Sequence, residues 1–132
     1  MNYSIHDIAE MINCAWLQHG DKSQVSHLLI DRRKCLFPET SLFFALRTSS
    51  RDGHQFIDRL YQQGVRNFVV SEEIDTSDCI GANFLLVADT LHALQALAAA
   101  HRSHFNIPVI GITGSNGKTI VKEWLNQLLE PD

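Results

Sequence analysis

Apolar positions along the chain change period several times, and each change marks a predicted element. Ser4-Ile5-His6-Asp7 places an acid three residues after a hydroxyl, the signature of a capped helix start, and Ile5, Ile8, Ala9 and Ile12 follow at helical spacing. A helix is predicted from about Ser4 to Cys14. Val25 to Ile30 reads as a strand running into the charged turn Asp31-Arg32-Arg33-Lys34, and Ser41 to Leu46 is a second apolar run, short enough for a buried strand. Polar residues 47–52 form a loop. From Gly53, the positions Phe56, Ile57, Leu60 and Tyr61 predict a helix that Gly64 closes. Strands follow at Phe68–Val70 and Asn83–Ala88, separated by an acidic loop from Glu72 to Asp78. Asp89 or Thr90 caps a long helix with Leu91, Leu94, Leu97, Ala98 and His101 on one face. A last strand, Ile107 to Ile112, runs into a glycine-rich loop and a helix from about Lys118 to Leu129. Strands alternating with helices define an α/β sheet. There is no internal repeat and no low-complexity stretch.

Composition narrows the class. The 132 residues are 45% hydrophobic and carry a net charge of −4. That length suffices for a buried core without disulfide or metal staples. The acidic balance argues against nonspecific nucleic-acid binding, which needs a basic face. No apolar run approaches the ~18–20 residues of a membrane span, and the N-terminus lacks the basic-then-apolar order of a signal peptide. Cys14, Cys35 and Cys79 are too irregularly spaced for a disulfide framework and suit a reducing compartment; they read as buried or half-buried thiols. His101 and His104, three apart on a helix, could share a face toward a metal. No further ligand follows at suitable spacing, and a partly exposed helix end is the plainer reading.

The strongest chemical signal is Gly111-Ile-Thr-Gly-Ser-Asn-Gly-Lys-Thr119, between an apolar strand and a helix. Phosphate oxygens need several converging N–H donors and positive potential. A glycine-rich turn folds the backbone around the anion, and the following helix presents its positive end. Gly114, Ser115, Asn116 and Gly117 would supply amides, Lys118 a mobile cation, and Thr119 a hydroxyl for Mg²⁺. The spacing departs from the general phosphate loop, because Ile112 stands where the first glycine of that motif belongs. Such folds carry further parallel strands and a later acidic Mg²⁺ partner, and only one helix follows Thr119 here. The chain is therefore expected to be a fragment: residues 1–105 as one domain and 106–132 as the start of an ATP-binding domain.

The glycine spacing 111, 114, 117, with Asn116-Gly117-Lys118-Thr119, resembles the ATP-binding loop of the Mur ligases, which folylpolyglutamate synthase shares. Leu42 to Leu46, Asp52-Gly53-His54 with Phe56-Ile57, and Gly64-Val65 with Phe68-Val69-Val70 resemble the N-terminal domain of the family members acting on UDP-muramoyl di- and tripeptides. The likeness spans the whole chain. The wording of residues 112–129 is also similar to a version fused to an alanine racemase, whose pyridoxal phosphate would then be a further cofactor; no residue here shows that half.

The resemblance implies a small mixed sheet flanked by helices that holds the UDP end of the substrate, followed by the first strand, loop and helix of the central ATPase domain. It implies ATP and Mg²⁺ as cofactors, UDP-N-acetylmuramoyl-tripeptide and D-alanyl-D-alanine as partners, a monomeric cytoplasmic enzyme, and amide formation through an acyl phosphate. Asp31-x-Arg33 matches the family's Asp-Ser-Arg near the uridine, with Arg32 in place of serine; Arg32 could meet a phosphate or simply be solvated. The second candidate surface is the loop of residues 47–54, with Thr48, Ser49, Asp52, Gly53 and His54, against the plainer reading of a polar connection. The fragment alone is expected to be catalytically silent. Two other readings stay open: a non-catalytic nucleotide-sugar binding module, and another ligase of the family, either the tripeptide synthetase or folylpolyglutamate synthase. Folylpolyglutamate synthase places the loop near the N-terminus and would leave most of residues 1–105 unexplained.

Overall fold

The computed structural model describes residues 1–131, and its first helix is capped as the sequence predicts. The Ser4 hydroxyl accepts the Asp7 N–H and the Asp7 carboxylate accepts the Ser4 N–H, both at 3.1 Å. In chain order the elements are β1 (Tyr3–Ser4), α1 (Ile5–Ile12), β2 (Ala15–Gln18), β3 (Gln24–Val25), β4 (His27–Leu29), β5 (Ser41–Phe44), α2 (Ile57–Gln63), β6 (Asn67–Val70), β7 (Asn83–Leu86), α3 (Thr90–Ser103) and α4 (Lys118–Leu129). Short 3₁₀ turns occupy Arg32–Lys34, Pro38–Thr40 and Gly53–Phe56.

Five strands form the main sheet in the order β2-β7-β6-β5-β4. Strands β4 to β7 run parallel, in sequence order, and β2 pairs antiparallel with β7 along the edge. The sheet is mixed and flanked by helices, as expected. Both faces of the parallel strands are covered, so successive residues enter opposite cores. Leu42 and Phe44 pack with α1 and α3, in a cluster with Ile5, Ile8, Val69, Leu85 and Leu97. Phe43 and Ala45 face the other way, with Ile57 and Leu60 of α2, Phe68, Val70 and Phe84. Phe43, Phe68 and Phe84 stand in register across β5, β6 and β7. The Phe68 and Phe84 rings stack at 4.9 Å, and Phe43 meets Phe68 edge-on at 6.4 Å.

Several expectations are corrected. The strand expected at Val25–Ile30 is divided: Val25 pairs with Tyr3 in a separate two-stranded ribbon, and only His27–Leu29 joins the main sheet. Strand β2 went unrecognised because its four residues show no alternation: Ala15 is exposed and the other three are half-buried. The helix expected from Gly53 begins as a 3₁₀ turn, Gly53–Phe56, and becomes α-helical at Ile57. On α3 the buried residues are Thr90, Ala93 and Leu97, while Leu91 is 51% exposed and Ala98 also faces outward. Residues 107–112 are not a strand. A strand requires a neighbour to hydrogen-bond with, and among the described residues none pairs with this segment, leaving Ile107, Val109 and Ile110 exposed.

The cysteines are free, and burial pushes all three thiols up from their ordinary value, as suits structural thiols. His101 and His104 do not turn toward a shared metal. Each Nδ1 lies 2.8 Å from the Tyr3 hydroxyl, which ties the end of α3 to β1.

Candidate functional site

Parallel strands all end on one edge of the sheet, and in α/β folds ligands bind in the crevice outside those carboxyl ends. Here the segments leaving β4 and β5 wall a cavity of about 340 Å³, lined by Ile30, Asp31, Arg32, Arg33, Leu46, Thr48, Arg51, Gly53 and Phe56. Five of the eight residues singled out for the UDP end therefore converge: Asp31, Arg32, Arg33, Thr48 and Gly53. Ser49 lies outside this lining in the exposed part of the loop, and Asp52 and His54 form a polar cluster beside it. The sequence reading did not single out Ile30, Leu46, Arg51 and Phe56. Arg51 does lie within the loop of residues 47–54 offered as a contact surface, and Phe56 within the family-like stretch from Asp52 to Ile57, but neither was named as a contact.

Local interactions fix both walls. Asp31 caps the first 3₁₀ turn by accepting the Arg33 N–H at 3.0 Å, and its carboxylate also receives the Arg33 guanidinium at 2.7–3.2 Å. The side-chain bond from Arg33 holds the Asp31 carboxyl well below the usual carboxylate range. On the other wall, Thr48 and Arg51 close a turn: the Thr48 N–H donates to the Arg51 carbonyl at 2.7 Å, and the Arg51 N–H to the Thr48 hydroxyl at 3.1 Å. Gly53 is required where it stands. A Cβ there would lie 2.8 Å from the Leu46 nitrogen and 2.9 Å from the Ala45 Cα, both backbone atoms at the end of β5 that cannot swing aside.

Beside the cavity, Asp52 accepts the backbone N–H of His54 at 3.0 Å and lies 2.6 Å from its Nδ1. His54 Nε2 in turn accepts the Ser71 N–H at the end of β6, so the ring proton sits on Nδ1 and is donated to Asp52. Arg47 bonds both Asp52 and Glu72. Ligand atoms of Asp52, His54 and Glu72 lie within 4.8 Å of one another, but Asp52 and Glu72 share the Arg47 guanidinium and the His54 ring is engaged by Asp52 and the Ser71 N–H. These residues anchor the loop rather than present themselves to a metal.

Burial tends to raise the Asp52 carboxyl, but hydrogen bonds from the His54 side chain and backbone and from Arg47 outweigh it, and the net shift is downward. A depressed carboxyl contributes stability that is complete above its unfolded value of about 3.9 and is lost as the pH falls through the lower folded value. Loop order should therefore weaken below about pH 4. Asp52→Asn should flatten that acid limb in urea-midpoint measurements made across pH 2.5–6. An unchanged acid limb would remove Asp52 from the anchor.

The second candidate region is the glycine-rich loop. Gly114 and Gly117 have φ of 145° and 75°, in the region that favours glycine. Gly117 leads into α4 without a side-chain cap, so the first N–H groups of the helix stay free for an anion. Lys118 and Thr119 open the helix and line a small cavity with Ile110, Ile112 and Lys122. These residues fit a phosphate group. Arg102 donates to the carbonyls of Phe105 and Ile107, steadying the chain where it leaves α3.

A mixed sheet with arginines beyond its strand ends, followed by a glycine-rich loop and helix, carries two places suited to phosphorylated ligands. No family model matches the chain. Over 129 residues it is 36% identical to the UDP-N-acetylmuramoyl-tripeptide–D-alanyl-D-alanine ligase of Synechocystis sp., covering 96% of this chain and 28% of that one. Over 127 residues it is 33% identical to the ligase of the same name from Bacillus subtilis, covering 96% and 27%. The fold superimposes on MurF from Acinetobacter baumannii with a TM-score of 0.85 at 27% identity, over 98% of this chain and 28% of that one. The chain belongs to the Mur ligase family, of which it carries an N-terminal portion. Within the family, these relatives are the ligases named for UDP-N-acetylmuramoyl-tripeptide and D-alanyl-D-alanine, and the chain spans little more than a quarter of their length.

Proposed function

We propose that these residues are the substrate-recognition part, and the opening of the ATP-binding part, of an enzyme that joins D-alanyl-D-alanine to UDP-N-acetylmuramoyl-tripeptide in peptidoglycan precursor synthesis. The observation carrying this reading is the similarity over nearly the whole chain to ligases of that name. In this reading residues 1–105 hold the UDP end at the cavity between residues 31–33 and 48–56, and residues 106–132 begin the ATPase domain.

ATP converts the tripeptide carboxylate, a poor leaving group, into an acyl phosphate. The amine of D-alanyl-D-alanine attacks it, and phosphate leaves. The loop amides of residues 114–117 and the Lys118 ammonium hold the transferring phosphoryl group, whose developing charge is the main demand of such a step. The Thr119 hydroxyl would hold a Mg²⁺, which when bound would neutralise charge on the phosphate oxygens. The reaction belongs in the cytoplasm, where ATP is available. Among the described residues no helix is long and apolar enough to cross a membrane. The relatives are named as ligases alone, so pyridoxal phosphate has no part in this reading.

The test is phosphate release by the intact protein. It should require ATP, UDP-N-acetylmuramoyl-tripeptide and D-alanyl-D-alanine together, and this 132-residue chain alone should give none. Turnover with a single amino acid and the UDP-linked dipeptide instead would assign the protein to the tripeptide-synthetase branch and overturn the reading.

A further inference from the structure

The charges around the 340 Å³ cavity do not cancel. Of the lining residues, Asp31 is the only acid and Arg32, Arg33 and Arg51 are cations. Asp31 is committed to Arg33 through the ion pair and three further hydrogen bonds, so that pair is internally neutral. Neither Arg32 nor Arg51 forms an ion pair among the described residues, and no hydrogen bond engages either side chain. Two uncompensated guanidinium groups thus face one cavity whose remaining wall, Ile30, Leu46 and Phe56, is apolar.

Arg32 is also held in place. Its guanidinium carbon lies 5.0 Å from the centre of the Phe56 ring, within cation–π range, and the residue is half-buried. A guanidinium steadied over a ring loses little freedom on forming a two-pronged contact with phosphate oxygens. A serine at this position, the residue that the family resemblance leads one to expect, has a short hydroxyl and could offer neither the charge nor the reach.

We infer that Arg32, steadied on Phe56 and acting with Arg51 across the cavity, is the diphosphate grip of this chain and sets its preference for a nucleoside diphosphate over a monophosphate. The inference rests on the reading above that the cavity takes the UDP end. It goes further in assigning the phosphates, rather than the base, to Arg32, which stands where the family resemblance leads one to expect serine.

The chain is titrated with uridine, UMP and UDP at fixed ionic strength, with Arg32→Ala and Arg32→Lys alongside. The Arg32 side chain makes no hydrogen bond in the folded body, so both variants should fold, which circular dichroism checks. Wild type should bind UDP more tightly than UMP. Arg32→Ala should weaken UDP by about tenfold to a hundredfold, the range of a charge-assisted hydrogen-bonded contact, and leave uridine within about twofold. Arg32→Lys, which keeps the charge and loses the planar fork, should fall between. Equal affinity for UMP and UDP, or a diphosphate preference that survives in Arg32→Ala, would overturn the assignment to Arg32 while leaving the cavity as the UDP site. Failure of all three ligands to bind wild type would overturn the cavity reading itself, and the grip with it.

Discussion

Replacing Lys118 with alanine in the intact ligase is expected to lower kcat by about two to three orders of magnitude, the usual cost of losing one preorganised charge at a reacting centre. Lys118 is the first residue of α4, directly after Gly117, whose φ of 75° turns the backbone into the helix. In the proposed reaction the free N–H groups there and the ammonium act on the same phosphoryl oxygens, whose charge grows as the acyl phosphate forms. The loss should fall on kcat and on KM for ATP. KM for the UDP-linked substrate should hold, because the cavity proposed for it is built from residues 30–56. Steady-state kinetics with each substrate varied in turn separate the two. Full activity in Lys118→Ala would remove the loop from phosphate chemistry, and an equal rise in both KM values would point to misfolding.

Phe68→Ala should produce the largest loss of stability, about 3–5 kcal/mol, a substantial part of the 5–15 kcal/mol that holds a typical domain together. Phe68 has no exposed surface and lies at the middle of the three-ring row across β5, β6 and β7. Removing it strips both the stacked contact with Phe84 and the edge contact with Phe43. The space left would lie between the sheet and Ile57 and Leu60 of α2, where close-packed neighbours relax only in part. Urea unfolding followed by tryptophan fluorescence measures the change. Phe68→Leu, which keeps most of the volume, should cost clearly less. Equal costs for the two variants would mean that the row contributes bulk and no specific ring contact.

Much of this body was legible because its strands and helices obey simple periods. Ser41–Leu46 and Phe68–Val70 read as strands from their apolar runs, and the strands found there, Ser41–Phe44 and Asn67–Val70, are buried along their whole length. The Ser4 and Asp7 cap was legible from spacing alone. What escaped depended on partners distant in sequence. Strand β2 is held by β7, some 70 residues on, and its own residues do not alternate. The short β3 is defined only by Tyr3 and Ser4. Conversely, Ile107–Ile112 carries the composition of a strand and lacks a neighbour to make it one. For the cavity, the sequence exposed Asp31 to Arg33 and the loop after Leu46 through motif resemblance. It could not reveal that Phe56 turns its ring under Arg32, because that contact joins a 3₁₀ turn after β4 to another after β5.

The Tyr3 hydroxyl, set between His101 and His104, brings the beginning of the packed body to its end. A body whose entry and exit lie side by side behaves as a cassette: it can be spliced into a host chain at one surface point without stretching either flank. Joining such neighbouring ends costs little loop-closure entropy. The same geometry gives a natural place to cut and rejoin the chain, with the original ends linked by a short bridge and new ends opened in the exposed acidic segment after Val70. Under the proposed division of labour, the recognition part and the ATP-binding part become exchangeable between relatives, with the seam running just beyond His104.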